Sequence, residues 1–239
     1  MKEMHQLMAE FMGTALMILF GVGVHAGTVL HDTKYHGSGH LFAITTWAFG
    51  ISIALFIFGN VTINPAMAFC MYLLGKMSFI TFIETSIFQI AGGIVGAVIV
   101  YIMYADSFKN SYDKIDPVTI RNIFSTSPAV RNLPRNFFVE FIDTFIFLTS
   151  ILAISRANSP EVVPIGVGLL VWAIGMGLGG PTGFAMNQAR DLGPRIAHAI
   201  LPIQNKAESD WQYGLLVPGI APFFGAVATA LFAKFYLGI

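Results

Sequence analysis

Long apolar stretches alternate with short polar ones along most of this chain. Six apolar stretches have about the 20 residues that a helix needs to cross a bilayer. They are Leu7–Leu30, Leu41–Phe58, Ile80–Tyr104, Phe137–Ile154, Val162–Leu178 and Tyr213–Tyr236. The pattern therefore predicts a membrane protein with transmembrane helices in two groups of three, separated by the polar segment Ala105–Pro134.

Two further pieces of the chain are moderately apolar but too short to span. Asn64–Gly75 and Asn187–Leu201 would reach only about halfway across a bilayer at about 1.5 Å per residue. A loop that contains glycine precedes each of them. Non-helical backbone at membrane depth survives only where it is buried in protein or lines a watery cavity. We therefore expect two re-entrant half-helices beside a pore or a central site.

The two halves of the chain resemble each other. Met8–Thr14 resembles Phe138–Thr144, and both segments contain a glutamate, Glu10 or Glu140. Each half reads as span, span, half-helix, span. Because three full spans is an odd number, the second half enters the membrane from the opposite side, which predicts an inverted repeat. We expect one domain, 1–239, with a first half at about 1–105, a connecting loop at about 105–134 and a second half at about 135–239.

Composition supports this interpretation and excludes several classes of function. The chain is 55% hydrophobic and only 11% charged, which is typical of an integral membrane protein. Its zero net charge argues against a nucleic-acid partner. Cys70 is the only cysteine, so no intrachain disulfide is possible. His31, His36 and His40 share a polar loop with Asp32, but we favour no metal site. We predict no cofactor and no enzyme, since no activated nucleophile or phosphate loop is present.

Both half-helices begin with a residue that favours a helix start. Asn64 and Asn187 are good N-cap residues, and Pro65 suits the first helical position. In the second copy Gln188 takes the place of proline. With its oxygen used in the cap, each asparagine is expected to have a free NH2 group that points into the cavity. Two facing N-termini, each with about half a positive charge, would repel cations and disfavour a protonated water chain. Alternatively, the two asparagines merely cap buried helices.

These residues carry a resemblance to a known family. Asn64-Pro65-Ala66 and Asn187-Gln188-Ala189 resemble the paired Asn-Pro-Ala boxes of the aquaporin family. The run Gly183–Arg195, in which Asp191 follows Arg190, is similar to the glycerol uptake facilitator branch. The resemblance covers nearly the whole chain. It implies an all-α membrane fold with six transmembrane helices plus two re-entrant half-helices in an inverted repeat. Gln188 and Thr62 depart from the family pattern, which commonly has proline and histidine there.

The resemblance also implies a selectivity filter on one side of the pore. Matched residue by residue, its members are Trp47, Gly175, Phe184 and Arg190. Arg190 would offer several N–H donors to solute hydroxyls, and the two aromatic rings would face the carbons. Gly175 leaves space that a histidine would fill in a strict water channel. We expect a pore wide enough for a three-carbon solute.

Four polar residues in or beside the apolar segments require a role. Glu10 and Glu140 would accept hydrogen bonds from the backbone of the pore loops, or would couple transport to protons. Gln89 is expected to support the loops as well. Asp191 is expected to support loop or subunit contacts rather than to touch solute.

The resemblance implies a passive, bidirectional channel for glycerol and other small uncharged solutes, with water, that excludes ions and protons. It further implies a homotetramer in the plasma membrane, with both termini cytoplasmic. The main solute could instead be undissociated lactic acid, dihydroxyacetone, urea or hydrogen peroxide. A proton-coupled symporter that uses Glu10 and Glu140 is the alternative from a different class.

Overall fold

The structure, a computed structural model, describes residues 2–238, and every regular element within this range is a helix. The helices, in chain order, are α1 (Lys2–Val29), α2 (Gly39–Phe58), α3 (Pro65–Leu73), α4 (Phe79–Met103), α5 (Ala105–Ser111), α6 (Pro117–Phe124), α7 (Leu133–Ala157), α8 (Val163–Gly177), α9 (Gln188–Ile200) and α10 (Trp211–Leu237). Helix α10 contains two π-helical stretches, Leu215–Ile220 and Ala233–Leu237.

Five of the helices are long and apolar enough to cross a membrane by length and composition: α1, α2, α4, α7 and α10. Helix α8 is apolar and has 15 residues, or about 22 Å at 1.5 Å per residue. It lies within the span predicted at Val162–Leu178. Large apolar side chains such as Phe56, Ile87, Leu169 and Phe224 are exposed. Exposed apolar side chains of this size suit a lipid or subunit environment better than water.

The predicted connecting loop at 105–134 contains two short helices, α5 and α6. Asp116 caps α6 by accepting a hydrogen bond from the Thr119 N–H over 3.0 Å, and Pro117 stands in its first turn. Ile120 and Phe124 are buried on one face of this helix. This helix was not predicted, because it is short and the segment around it is highly polar.

The two halves interlock through their half-helices. Helix α1 packs on α2 and α4, and α7 packs on α8 and α10. Each half-helix packs against the last helix of the other half, α9 against α4 and α3 against α10. Small residues permit these close approaches. A β-carbon at Gly92 would lie 2.2 Å from the Phe11 carbonyl oxygen, and one at Gly93 would lie 2.6 Å from the Ala189 carbonyl oxygen.

Candidate pore and filter

The N-termini of the two half-helices are capped in the same way. Asn64 Oδ1 accepts a hydrogen bond from the Ala66 N–H over 2.9 Å. Asn187 Oδ1 accepts from the N–H groups of Ala189 and Arg190 over 2.9 and 3.2 Å. Both asparagines have extended backbone and are buried. Each cap satisfies helix-start donors that would otherwise have no partner inside the membrane.

The same two asparagines also tie the half-helices to each other. Asn64 Nδ2 donates to the Met186 carbonyl over 2.9 Å, and Asn187 Nδ2 donates to the Ile63 carbonyl over 2.8 Å. The sequence interpretation left the whole NH2 group free for the cavity, and the structure corrects it. One N–H of each side chain joins the opposite loop, because the two caps lie close enough to reach it. One N–H of each remains.

Unusual backbone geometry brings these carbonyl groups into place. Ile63 has a φ of 43° and Met186 a φ of 49°, both in the left-handed region. Phe184, two residues before Met186, has a φ of 40°. Left-handed backbone at a non-glycine residue costs about 1–3 kcal/mol, and a β-branched residue such as Ile63 tolerates it least. The surrounding hydrogen bonds must offset this strain.

Glu10 supplies part of that support to the first pore loop. Its Oε1 accepts from the Thr62 N–H over 2.7 Å and from the Thr62 hydroxyl over 3.0 Å. Its Oε2 accepts from the Ile63 N–H and from Gln89 Nε2, both over 2.8 Å. Gln89 Nε2 also donates to the Thr62 hydroxyl over 2.7 Å. Both carboxylate oxygens therefore accept from donors that hold the loop in place.

Glu140 occupies the equivalent position beside the second pore loop. Its Oε1 accepts from the Ala185 N–H over 2.9 Å, and its Oε2 accepts from the Met186 N–H over 2.8 Å. The Glu140 side chain is fully buried. A carboxylate that accepts two backbone N–H groups fixes the direction of the chain between them, and here it fixes the strained residue before Asn187.

Three of the four predicted filter residues lie together around one small cavity. Trp47, Phe184 and Arg190 line a cavity of about 30 Å³ that also touches Asn187. The Arg190 Cζ atom lies 4.4 Å from the centroid of the Trp47 ring, within the range of a cation–π interaction. This volume is large enough for about one or two water molecules. The guanidinium rests on the indole face and takes up part of the space between these residues.

Gly175, the fourth residue of the predicted filter, lies on α8 beside the Phe184 ring. A β-carbon there would lie 3.1 Å from Phe184 Cζ and 2.7 Å from Ile44 Cγ2. The absence of a side chain at this position therefore leaves room for the Phe184 ring, and a larger residue would crowd it.

A much larger cavity lies on the other side of the asparagine pair. It has a volume of about 960 Å³ and extends from Asn64 and Asn187 to the exposed residues Lys76 and Arg156. Four residues line both cavities: Met17, Ile51, Phe147 and Asn187. Because Met17 and Phe147 each stand seven positions after the repeated glutamate, they are counterparts in the two halves. The two cavities thus meet beside the capped helix starts.

Helix α9 is anchored by a buried ion pair that the sequence interpretation missed. Arg195 Nε donates to Asp191 Oδ1 over 2.8 Å, and both side chains are 0% exposed. Asp191 Oδ2 accepts from the N–H and the hydroxyl of Thr126 over 2.8 and 2.6 Å. Arg195 donates further to the carbonyl groups of Thr126 and Ser209. The spacing of four residues between an acid and a base on one helix was the available signal.

The other end of α9 is capped by a lysine from the following loop. Lys206 Nζ donates to the carbonyl groups of His198, Ala199 and Leu201 over 2.7, 2.8 and 2.6 Å. A cation there satisfies helix-end acceptors and complements the helix dipole. Sequence reasoning gave Lys206 no role.

Gln188, which stands where the first copy has proline, connects α9 to α10. Its Nε2 donates to the Gly219 carbonyl over 3.2 Å, inside the π-helical stretch Leu215–Ile220. Among residues 2–238 its buried Oε1 has no hydrogen-bond partner. Compared with a proline at this position, Gln188 lacks the fixed φ angle but forms one hydrogen bond to α10.

The comparison with known proteins settles the family. Residues 1–233 match the family model described as Major intrinsic protein. The chain belongs to the major intrinsic protein family. It is 72% identical over 235 residues to glycerol uptake facilitator protein 4 of Lactiplantibacillus plantarum, covering 98% of this chain and 99% of the relative. It is 71% identical to the D/L-lactic acid transporter of the same organism, again covering 98% and 99%.

More distant relatives agree with this assignment. A probable glycerol uptake facilitator protein of Thermotoga maritima is 40% identical over 227 residues, covering 93% of this chain and 95% of the relative. The X-ray structure of the aquaglyceroporin from Plasmodium falciparum matches with a TM-score of 0.85 at 26% identity, covering 98% of this chain and 97% of that one. The predicted family, its glycerol uptake facilitator branch and the aquaporin-like helical fold are confirmed.

The histidine loop between α1 and α2 shows no sign of a metal centre. The His31 and His36 rings stack with their centroids 4.5 Å apart, and His36 Nδ1 lies 3.0 Å from the Leu30 carbonyl oxygen. Within the described range, no three His, Cys, Asp or Glu side chains are placed to hold a metal ion.

Proposed function

We propose that this protein is a passive, bidirectional channel for glycerol and other small uncharged solutes, with water. The observation that supports it best is the pair of mutually bonded half-helix starts, Asn64 and Asn187, at the junction of the two cavities. One N–H of each asparagine remains to donate to a passing hydroxyl. The names of several relatives include glycerol uptake, in agreement with this role.

Charge explains why such a channel excludes ions and protons. Each half-helix directs about half a positive charge at the junction. Arg190 adds a full charge beside the 30 Å³ constriction. Cations and hydronium meet this positive region in a narrow passage and are repelled, whereas an uncharged solute is not.

At the filter, we propose that the solute exchanges contacts with Arg190. The guanidinium leaves the Trp47 face as a solute arrives, and its N–H groups donate to the solute hydroxyls. The rings of Trp47 and Phe184 then contact the carbon edge. An attraction between Arg190 and Trp47 worth about 0.5–2 kcal/mol is small enough to be exchanged during passage.

The four supporting residues hold the pore loops and do not carry protons in this proposal. Glu10 and Glu140 direct both carboxylate oxygens at loop donors. Gln89 braces Glu10, and Asp191 braces Arg195 and the segment that contains Thr126. A proton-coupled symporter would need a carboxyl group that exchanges protons with the pore, and these hydrogen bonds oppose such exchange.

A second candidate solute is undissociated lactic acid. A relative with 71% identity is named D/L-lactic acid transporter. In addition, Lys76 and Arg156 line the open end of the larger cavity, where their N–H groups would donate hydrogen bonds to the oxygens of a carboxylic acid. Dihydroxyacetone, urea and hydrogen peroxide are uncharged and small, and they would follow the same path.

We further propose that the channel is a homotetramer in the plasma membrane, with both termini cytoplasmic, and that it has no enzymatic activity and no nucleic-acid partner. Exposed apolar side chains on the outer faces of α2, α4, α8 and α10 would serve contacts with lipid or with neighbouring subunits.

Light scattering on proteoliposomes tests the function. Glycerol and water permeabilities should exceed those of empty liposomes with no ion gradient, and a protonophore should leave them unchanged. Strict dependence on a proton gradient would contradict the channel. The symporter instead predicts accumulation against a solute gradient that Glu10→Gln or Glu140→Gln abolishes, so the absence of accumulation contradicts the symporter.

A further inference from the structure

His25, near the C-terminal end of α1, is bonded to the filter tryptophan. Trp47 Nε1 lies 3.1 Å from His25 Nε2. An indole N–H can only donate, so Nε2 of the imidazole must be the acceptor. The His25 ring is therefore neutral in this arrangement, with its proton on Nδ1. The bond joins α1 to α2 at the level of the filter.

Gly21, one turn before His25 on the same face of α1, leaves room for the indole. A β-carbon at Gly21 would lie 2.1 Å from Trp47 Cη2 and 2.2 Å from Cζ2. The ring thus lies directly against the α1 backbone and has no space behind it. The Trp47 side chain is only 3% exposed, with Arg190 over its other face. Any movement of the ring away from α1 brings it toward Arg190 and into the constriction.

We propose that His25 is a positioning residue that sets the selectivity of the filter. Its bond to Trp47 Nε1 keeps the indole flat against α1 at Gly21 and so preserves the space that a three-carbon solute needs beside Arg190. The bond also occupies the indole N–H. Trp47 therefore offers only an apolar face to the solute, and hydroxyl groups are directed to the guanidinium. The proposal rests on the channel function proposed above and names a determinant of its selectivity.

Three substitutions distinguish the effect of the hydrogen bond between His25 and Trp47 from the effect of side-chain size. His25→Leu removes the acceptor, His25→Gln retains an acceptor oxygen, and Trp47→Phe removes the donor. Each is made alone, and His25→Leu is repeated in the Trp47→Phe background. Glycerol and water permeabilities are measured in proteoliposomes at equal protein density, and the glycerol-to-water ratio is the readout.

We expect His25→Leu to lower the glycerol-to-water ratio about five-fold, as the loss of one neutral hydrogen bond implies. His25→Gln should retain most of the ratio of the unmodified protein. In the Trp47→Phe background, His25→Leu should change the ratio little, because the donor is already absent. Gly21→Ala provides a second route, since its β-carbon pushes the ring toward Arg190 and should lower the ratio as well.

An unchanged ratio in His25→Leu or Gly21→Ala, with glycerol still crossing, would overturn the role of His25 and leave the channel function standing. The role of His25 would also be overturned if His25→Leu lowered the glycerol-to-water ratio equally in the unmodified and the Trp47→Phe backgrounds. If the unmodified protein passes no glycerol, the proposed function itself fails, and the two failures are distinguished by that control.

Discussion

The two half-helices begin with the same asparagine cap but differ in length and in the charged residues that they carry. Helix α3 has nine residues, carries no charge and needs only the cap and an apolar environment. Helix α9 has 13 residues and includes two arginines and an aspartate, all buried. The residue three positions after the cap is Met67 in α3 and Arg190 in α9. The charged residue beside the small cavity thus belongs to one half alone, and a buried ion pair and a lysine cap hold the helix that carries it.

The comparison shows how an inverted repeat becomes functionally asymmetric. The shared features are the glutamate, the strained residue before the cap and the asparagine, and these build the junction of the two cavities. The features that differ produce a wide cavity on one side and a constriction on the other. Breaking the shared set should harm both halves, whereas breaking the charged set should harm only the second.

The largest effect is expected at Arg195, which has no charged counterpart in α3. Arg195→Met leaves the Asp191 carboxylate buried without its partner and should lower the free energy of unfolding by about 3–5 kcal/mol. Tyr72 stands at the matching position in α3. Tyr72→Phe should change the free energy of unfolding by less than about 0.5 kcal/mol. Chemical denaturation of the purified protein in detergent measures both.

The double variant Asp191→Leu/Arg195→Met completes this test. Removing both charges should recover only part of the lost stability, because the unpaired buried charge is gone but Thr126 and Ser209 lose their hydrogen-bond partners. A double variant as unstable as Arg195→Met would show that these lost hydrogen bonds cost as much as the unpaired charge.

The second effect compares the two glutamates. Replacing either with Gln turns an NH2 group toward loop donors and leaves a buried N–H without an acceptor, at a cost of about 1–3 kcal/mol. Each oxygen of both carboxylates accepts from one backbone N–H. Glu140→Gln should be the more damaging, because Glu10 has additional side-chain partners that can rearrange. Glu10 lies beside the Thr62 hydroxyl, which can rotate to accept from a glutamine.

The same denaturation experiment on Glu10→Gln and Glu140→Gln measures this difference. Equal losses would indicate that Thr62 and Gln89 cannot rearrange and that the first loop is as rigid as the second.

The third effect concerns the constriction. Gly175→His should lower glycerol permeability about ten-fold more than water permeability, which corresponds to a barrier increase of about 1.4 kcal/mol. The physical reason is crowding, since the β-carbon alone approaches Phe184 Cζ to 3.1 Å. Gly177→His is the matched control, because no atom lies within 4 Å of a β-carbon there. Equal loss of both solutes in light scattering would remove Gly175 from the filter.

The smallest effect is expected where the two caps differ by one residue. Gln188→Pro removes the bond to Gly219 and also a buried oxygen without a partner, and proline fits a first helical position. The two changes should nearly cancel, so the free energy of unfolding should shift by less than about 1 kcal/mol. A loss well beyond that would make the contact with the π-helical stretch of α10 essential to the second half.

Much of the fold followed from local patterns. Stretches of about 20 apolar residues predict spans, and Asn64 and Asn187 predict helix starts, because capping and burial in lipid depend on neighbours in the chain. The repeated glutamates indicated a repeat, and the odd number of spans in each half predicted that it is inverted. The amphipathic helix α6 was missed because its polar face outweighed its apolar face in a search for long apolar runs.

The sequence by itself thus determined the membrane class, the repeat and the residues that meet at the centre. Only the tertiary structure decided that each asparagine bonds to the opposite loop, that Arg190 rests on Trp47 and that His25 holds the indole. It also decided the roles of Arg195 and Lys206. These contacts join atoms brought together by helix packing and by left-handed backbone at Ile63 and Met186, and neither is specified by the residues adjacent in the chain.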